Sequence, residues 1–297
     1  MDLMMSAPSS KQTMVIAGAG PAGLSAGLWA ARLGLRAMVL EAADEPGGQL
    51  RSYSLPVVDL PGFESDPAPA LIATLTKQVA EVGIPVYLRS RAVRWNGAAL
   101  TVEALSDPIK ADWFFYAPGL RARVLGIPGE EWASQESISD AVRSPSGSVL
   151  IIGAGDRAVE GAFRLAEAGH QVTLLCRSDR LKARRAYRMR LRESGVTVKY
   201  HTRLVHLAAS GKRRHAWLEG PQGAQEWEGD RVMIRIGMEP RVDPNLASVR
   251  GDLAYPRALR MSIIGDAALA VPDRSLVTAM ASAMRAVKAV AVNLGEA

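Results

Sequence analysis

The chain of 297 residues has a single cysteine, Cys176. One thiol makes no internal disulfide, no Cys-x-x-Cys redox pair and no thiolate zinc cage, so dithiol chemistry within the chain is excluded. Histidine is nearly as scarce. His170, His201, His206 and His215 lack metal-ligand spacing, because the closest residues of the set, 201 and 206, share neither a helix face nor a strand face. They read as turn and surface residues, and no metal is expected. Long apolar runs are missing too: no stretch of 18 apolar residues occurs. Met1 to Lys11 also lacks a basic segment followed by an apolar one. The expectation is a soluble, cytoplasmic protein without membrane contact.

What is present points to a globular chain. Hydrophobic residues make up 48% and charged residues 22%, which leaves room for about two domains and too little polarity for extended disorder. The net charge of +6 is local. Thirteen of the 36 basic residues lie between Arg177 and His215, against only Asp179 and Glu193, so that segment carries +11. The rest of the chain holds 23 basic and 28 acidic residues, a net of −5. A site, and not the whole protein, calls for the charge. The segment's aromatics are only Tyr187 and Tyr200, so nucleic-acid binding is not expected.

Two βαβ units stand out. Met14 to Ala17 is a short apolar strand that enters Gly18-Ala19-Gly20-Pro21-Ala22-Gly23, and Leu24 to Leu33 continues as a helix. Ala37 to Leu40 is the next strand and ends in Glu41, eighteen residues beyond Gly23. In such a unit Gly18 permits the tight turn, Gly20 lets the backbone approach a pyrophosphate and Gly23 lets helix and strand pack closely. The helix start then holds the phosphates, and Glu41 is placed for a ribose diol. The pattern recurs: Ser148 to Ile152 leads into Gly153-Ala154-Gly155-Asp156-Arg157-Ala158 and a helix through Ala168, and Val172 to Leu175 follows as a strand. This second strand ends in Cys176-Arg177-Ser178, with Lys182, Arg184 and Arg185 close behind. A carboxylate there would repel a 2′-phosphate whereas arginine attracts it. The first site is therefore assigned to FAD and the second to NADPH in preference to NADH, which stays open.

The order of motifs resembles that of the low-molecular-weight thioredoxin reductase family over nearly the whole chain. Gly47-Gly48-Gln49-Leu50 is similar to its flavin-contacting segment, and Asp59-Leu60-Pro61-Gly62-Phe63 to the turn that follows. Ala117-Pro118-Gly119, Leu125 to Glu130, Gly153 to Ala162, Ile236 to Pro240 and Ile264-Gly265-Asp266 match further motifs in order. The resemblance implies an α/β fold of two Rossmann-like, three-layer dinucleotide-binding domains, with the NAD(P)H domain inserted into a split FAD domain. The expected parts are 12–118, 119–240 and 241–297. It also implies a homodimer, and a closing helix from Ser275 to Val290 whose start points at the flavin. The implied FAD residues are Gly18, Gly20, Pro21, Ala22, Gly23, Glu41, Gly48, Gln49, Leu50, Gly119, Gly265, Asp266, Ser275 and Leu276. For NADPH they are Gly153, Gly155, Asp156, Arg157, Ala158, Arg177 and Lys182.

The departures from that pattern bear on chemistry. The family's CxxCD segment falls on Glu136-Ser137-Ile138-Ser139-Asp140, without either cysteine. Ser139 stands where the flavin-attacking thiol would be, and a hydroxyl does not cycle between thiol and disulfide. Asp140 then reads as a surface relic, and Cys176, in place of a histidine that opens the family's phosphate signature, as a buried strand-end residue. In that signature Arg177 is kept, while Ser178 and Lys182 replace two arginines. Pro118 replaces a threonine, and Met280 is expected to crowd the flavin. Tyr53 is the candidate to stack on the ring. The function expected is an FAD-dependent NAD(P)H oxidoreductase that passes electrons to an external acceptor such as an acidic ferredoxin or flavodoxin, and no side chain is assigned a catalytic role beside the flavin. The alternative is a nucleotide-binding flavoprotein that has lost turnover and acts as a sensor or assembly partner.

Overall fold

The computed structural model describes residues 12–53, 56–57, 59–63, 67–103, 105–246 and 260–293. The N-terminal reading, and the parts of 241–297 at 247–259 and 294–297, lie outside the described residues. The chain runs β1 (Thr13–Ala17), α1 (Pro21–Arg32), β2 (Arg36–Leu40), α2 (Ala68–Glu81), β3 (Val86–Tyr87), β4 (Ala92–Trp95), β5 (Ala99–Val102), β6 (Ile109–Lys110), β7 (Trp113–Tyr116) and β8 (Leu120–Ala122). It continues through α3 (Ile138–Arg143), β9 (Ser148–Ile152), α4 (Asp156–Glu167), β10 (Gln171–Cys176), α5 (Arg185–Glu193), β11 (Thr197–Tyr200), β12 (Arg203–Ser210), β13 (Arg213–Gly220), β14 (Gly223–Gly229), β15 (Arg231–Ile234) and β16 (Met238–Pro240). β17 (Met261–Ile263) and α6 (Leu276–Asn293) close it. The described residues up to 120 and from 240 onward form one unit and 121–239 the other.

The first unit is built on a parallel five-stranded sheet in the order β17-β7-β1-β2-β3. β1 is buried on both faces, as a central parallel strand must be. Met14 and Ile16 pack with α1, α2 and α6, whereas Val15 and Ala17 pack with Trp95, Leu100 and Phe114 beneath the antiparallel sheet β4-β5-β6. The result is three layers: helices, parallel sheet, small antiparallel sheet. α6 is long and apolar enough by composition to cross a membrane, with a mean hydropathy of 1.2. It is nevertheless a core helix, since Ala279, Ala283, Ala286, Val287 and Val290 are buried in the cluster that contains Leu24 and Ala26 of α1.

The second unit repeats the plan. Its parallel sheet is ordered β11-β10-β9-β15. Val149 and Ile151 pack with α4, and Leu150 and Ile152 pack with Leu207, Ala216 and Leu218 of the antiparallel sheet β12-β13-β14. Both antiparallel sheets went unread in the sequence, where 203–215 counted only as the end of the basic stretch and 216–229 was assigned nothing. Their strands alternate apolar with charged residues on a face half open to water, which leaves little hydrophobic contrast.

The first unit is assembled from two separate stretches of chain, and β7 and β17 join them. The join includes one buried polar contact: Trp113 Nε1 donates to Ser262 Oγ at 3.0 Å, with Ser262 fully buried. Ser262→Ala should leave the indole N–H without a partner and cost about 1–3 kcal/mol in urea unfolding. The same substitution made in a Trp113→Phe background should cost less, because the donor is already gone.

Candidate functional site

In the first unit the glycine turn is made by backbone meeting backbone. Gly18 has φ +107°, and a Cβ there would lie 2.2 Å from the Ala117 carbonyl oxygen. A Cβ on Gly23 would lie 1.8 Å from the Gly18 oxygen, so helix and strand come too close for any side chain. α1 begins at Pro21 after Gly20, with no side chain capping it and no acidic residue in its first turn, so its leading N–H groups face outward unclaimed. Gly48, at φ +55°, brings a second backbone alongside: its Cβ would sit 3.2 Å from the Gly20 Cα. Gly47 N donates to Ala19 O at 2.8 Å and holds that loop in place, while Leu50 is buried. Gln49 is exposed, and its amide nitrogen lies 3.8 Å from where a Cβ on Gly119 would be.

Glu41 has a structural task beside the one expected of it. Its Oε2 accepts from Ala19 N at 2.8 Å and its Oε1 from Ala43 N at 2.9 Å, which ties the glycine turn to the end of β2. Each carboxylate oxygen keeps a lone pair for a further donor. Asp266 is the opposite case. Its Oδ1 is buried without a hydrogen-bond partner, and burial pushes the carboxyl up from its ordinary range against the opposing pull of Arg274. The turn that carries it is fixed by Ser282, whose hydroxyl accepts from Gly265 N at 2.8 Å. At the start of α6, Ser275 Oγ accepts from Thr278 N at 3.2 Å and so takes up one of the free N–H groups there. Met280 packs against the unit's core cluster, and Tyr53 is exposed.

In the second unit Gly153 makes the equivalent turn, and a Cβ there would lie 2.4 Å from Arg235 O and 2.7 Å from the Ala158 Cβ. Gly155 caps α4 with open space beside it. Asp156 opens the helix with a carboxylate that would repel a phosphate, but Arg184 neutralises it through its backbone N at 2.7 Å and Nε at 2.8 Å. The loop after β10 folds onto the same turn: Lys182 N and Ala183 N both donate to Ala154 O. Cys176 is fully buried.

The +11 segment is partly neutralised once folded. Arg184, Arg190 and Arg203 pair with Asp156, Glu167 and Glu219, and Arg213 pairs with both Glu228 and Asp230, all acids from outside the segment. Among the described residues Arg177, Arg180, Lys182 and Arg185 form no ion pair, and all four are exposed. These four follow β10 beside the second glycine turn, while Arg188, Arg192, Lys199, Lys212 and Arg214, also without an ion pair among the described residues, are spread over α5, β11 and the β12–β13 hairpin. Arg157, on the first turn of α4, is exposed as well.

The segment Glu136 to Asp140, expected from the resemblance to stand at the family's dithiol, is a braced helix start. Ser137 accepts from Asp140 N at 3.1 Å and caps α3, and Asp140 pairs with Arg143. Glu136 lies 3.3 Å from Arg231, and Arg164 donates to Ser139 Oγ at 3.2 Å. No cluster of three or more His, Cys, Asp or Glu able to hold a metal occurs among the described residues.

A model of one family, pyridine nucleotide-disulphide oxidoreductase, matches residues 12–258. The chain belongs to that family. A relative, the NADPH-dependent thioredoxin reductase 3 of Arabidopsis thaliana, is 34% identical over 215 residues, which is 68% of this chain and 40% of that protein. The 34.2 kDa protein in the rubredoxin operon of Clostridium pasteurianum is 25% identical over 240 residues, 77% of each chain. The thioredoxin reductase of Lactococcus lactis in its FR conformation superposes with a TM-score of 0.82 at 23% identity, over 97% of this chain and 100% of that one. The fold is that of these pyridine nucleotide-disulphide oxidoreductases, and the thioredoxin-reductase-like members use FAD and NADPH. The family supports an FAD-dependent NAD(P)H oxidoreductase. The residues fit the cofactors: two glycine turns whose Gly18, Gly23 and Gly153 leave no room for a Cβ, and at Asp266 a buried oxygen that lacks a donor.

That orphaned oxygen generates a pH test. Because the folded-state titration of Asp266 is raised, its contribution to stability is present while the carboxyl is protonated and is lost as pH rises through the raised value. In flavin-free protein, Asp266→Asn should remove this loss. Thermal unfolding should therefore show little difference between variant and parent near pH 4, and a variant more stable than the parent near pH 7. A gap that shrinks as pH rises would contradict the reading.

Proposed function

We propose that the protein oxidises NADPH through bound FAD and passes the electrons to an acceptor outside its own chain. The observation that carries this reading is the combination of two dinucleotide cradles with a single, fully buried thiol, Cys176, which is 0% exposed; the resemblance sets Glu136 and Ser139 at the family's CxxC positions. When bound, FAD supplies the two-electron chemistry, taking a hydride from the nicotinamide and delivering electrons onward.

The chain's part is to bind, orient and shield. The unclaimed N–H groups at the start of α1 receive the FAD pyrophosphate, and the approach of Gly48 to Gly20 keeps that groove free of side chains. The unfilled lone pairs of Glu41 accept from the adenosine ribose. Asp266 Oδ1 accepts from a ribityl hydroxyl, which satisfies a group that is otherwise buried alone. Gly265, Ser275 and Leu276 set the backbone around the ring. In the second unit, Gly153 and Gly155 open the α4 start to the NADPH pyrophosphate, and Arg177 and Lys182 hold the 2′-phosphate.

Thioredoxin reductases are typically homodimers, and a homodimer is the assembly we propose. For the acceptor, the relative named for a rubredoxin operon and the unpaired cations Arg180 and Arg185 support a small acidic electron-transfer protein such as a ferredoxin or flavodoxin. A second reading, a flavoprotein without turnover, draws support from Ser275, whose capping of α6 occupies an N–H at the helix start.

Anaerobic titration separates the two. Bleaching of the flavin band by about one equivalent of NADPH, with NADH far less effective, is expected of the oxidoreductase. A yellow protein that neither nucleotide bleaches overturns it. In the double variant Arg177→Ala/Lys182→Ala the apparent affinity for NADPH should fall about 10–100-fold while that for NADH changes little, as loss of charge-assisted hydrogen bonds to a single phosphate requires.

A further inference from the structure

Arg235 belongs to none of the motifs above, yet it lies against the second glycine turn. It follows directly on β15, its backbone N donates to Ile152 O at 2.7 Å, and its carbonyl oxygen, together with the Ala158 Cβ, forbids a side chain at Gly153. Alternation along the strand sets its direction. Met233 packs in the α4 cluster and Ile234 in the cluster beneath the antiparallel sheet, so Arg235 projects on the α4 face, where the helix begins.

Its guanidinium is half-buried and has only neutral partners. Nη2 donates to Glu136 O at 2.7 Å and Nη1 to Ile234 O at 3.0 Å. Among the described residues no carboxylate pairs with it. The acids of this face are engaged elsewhere: Glu136 with Arg231, Glu160 with Arg164 and Asp156 with Arg184. Burial holds the Arg235 guanidinium below its ordinary range, and the positive charge of Arg157 adds to that. A desolvated cation next to a like charge is costly unless an anion completes the site.

We propose that Arg235 is a ligand of the diphosphate of the nicotinamide dinucleotide, acting with Arg157 and the α4 N–H groups. This rests on the reading of the second unit as the NAD(P)H domain. The ligand chemistry is a diphosphate and not a lone phosphate monoester, because two cations and a helix start converge on the strand end where a dinucleotide's bridge crosses. Arg235 therefore serves NADPH and NADH alike. In this it differs from Arg177 and Lys182, which discriminate between them.

The test measures dissociation constants of NADP⁺ and NAD⁺ for the FAD-loaded protein by calorimetry, with 2′-AMP, which has no diphosphate, as a control. Arg235→Met should weaken both dinucleotides about 10-fold or more, leave their ratio unchanged and leave 2′-AMP binding unaltered. Arg235→Lys should recover part of the loss. If Arg235→Met loses its FAD or fails to fold, Arg235→Lys and Arg157→Met decide: each should weaken both dinucleotides together. Unchanged affinities, or a loss confined to NADP⁺, overturn the role of Arg235 alone. An unsubstituted protein that binds neither nucleotide overturns the reading of the second unit, and this inference with it.

Discussion

Backbone meets backbone at the point where a central strand gives way to a helix, and both units are organised around that contact. At Gly23 and Gly18 an added Cβ would come within 1.8 Å and 2.2 Å of a carbonyl oxygen, and at Gly153 within 2.4 Å. No rotamer change relieves an overlap with main chain, so these positions admit glycine only. The close approach seats each helix low on its sheet, with its first N–H groups at the carboxyl ends of the strands. The surrounding contacts brace that arrangement: Glu41 across Ala19 and Ala43, Gly47 on Ala19, and Lys182 and Ala183 on Ala154.

The two cradles share this backbone and differ in charge. In the first, the acid at the strand end spends a hydrogen bond from each oxygen on main-chain N–H groups, and a buried carboxylate oxygen waits without a donor at Asp266. That environment suits a ligand offering hydroxyl donors. In the second, the acid at the helix start is neutralised by Arg184, and the loop that follows β10 carries Arg177, Arg180 and Lys182 without ion pairs against the single acid Asp179. That environment suits a ligand carrying extra phosphate. One fold thus presents two opposite electrostatic surfaces, set by a few side chains at equivalent places.

The parts of this structure legible in the sequence are local. A strand buried on both faces, a glycine turn and a small-residue helix lie within about thirty consecutive residues, so the βαβ units can be read directly. Asp266 could be picked out only through the resemblance of Ile264-Gly265-Asp266 to a family motif. The antiparallel sheets were not legible, since β12 to β14 alternate charged and apolar residues without a turn signal as strong as the glycine cradles. The charge of the 177–215 stretch was legible as a sum but not as a field, because its counter-ions come from α4, β13 and β14. Arg235 was invisible for a similar reason: its significance lies in strand parity at β15 and in acids already engaged by other arginines.

The same distinction applies to Glu136-Ser137-Ile138-Ser139-Asp140, the segment set against the family's CxxCD motif by resemblance. Read as letters, Glu136 and Ser139 look like a thiol pair with its sulfurs removed. In the fold they are structural parts: Glu136 anchors Arg231 with its carboxylate and Arg235 with its carbonyl, Ser139 receives Arg164, and Ser137 caps the helix that follows. A cysteine at 136 would leave Arg231 without its acid, which places a second unmatched cation on the face that already holds Arg235. The carboxylate, carbonyl and hydroxyls of this segment are thus engaged by the arginines and the helix around them, and the segment supports the α4 face of its own unit.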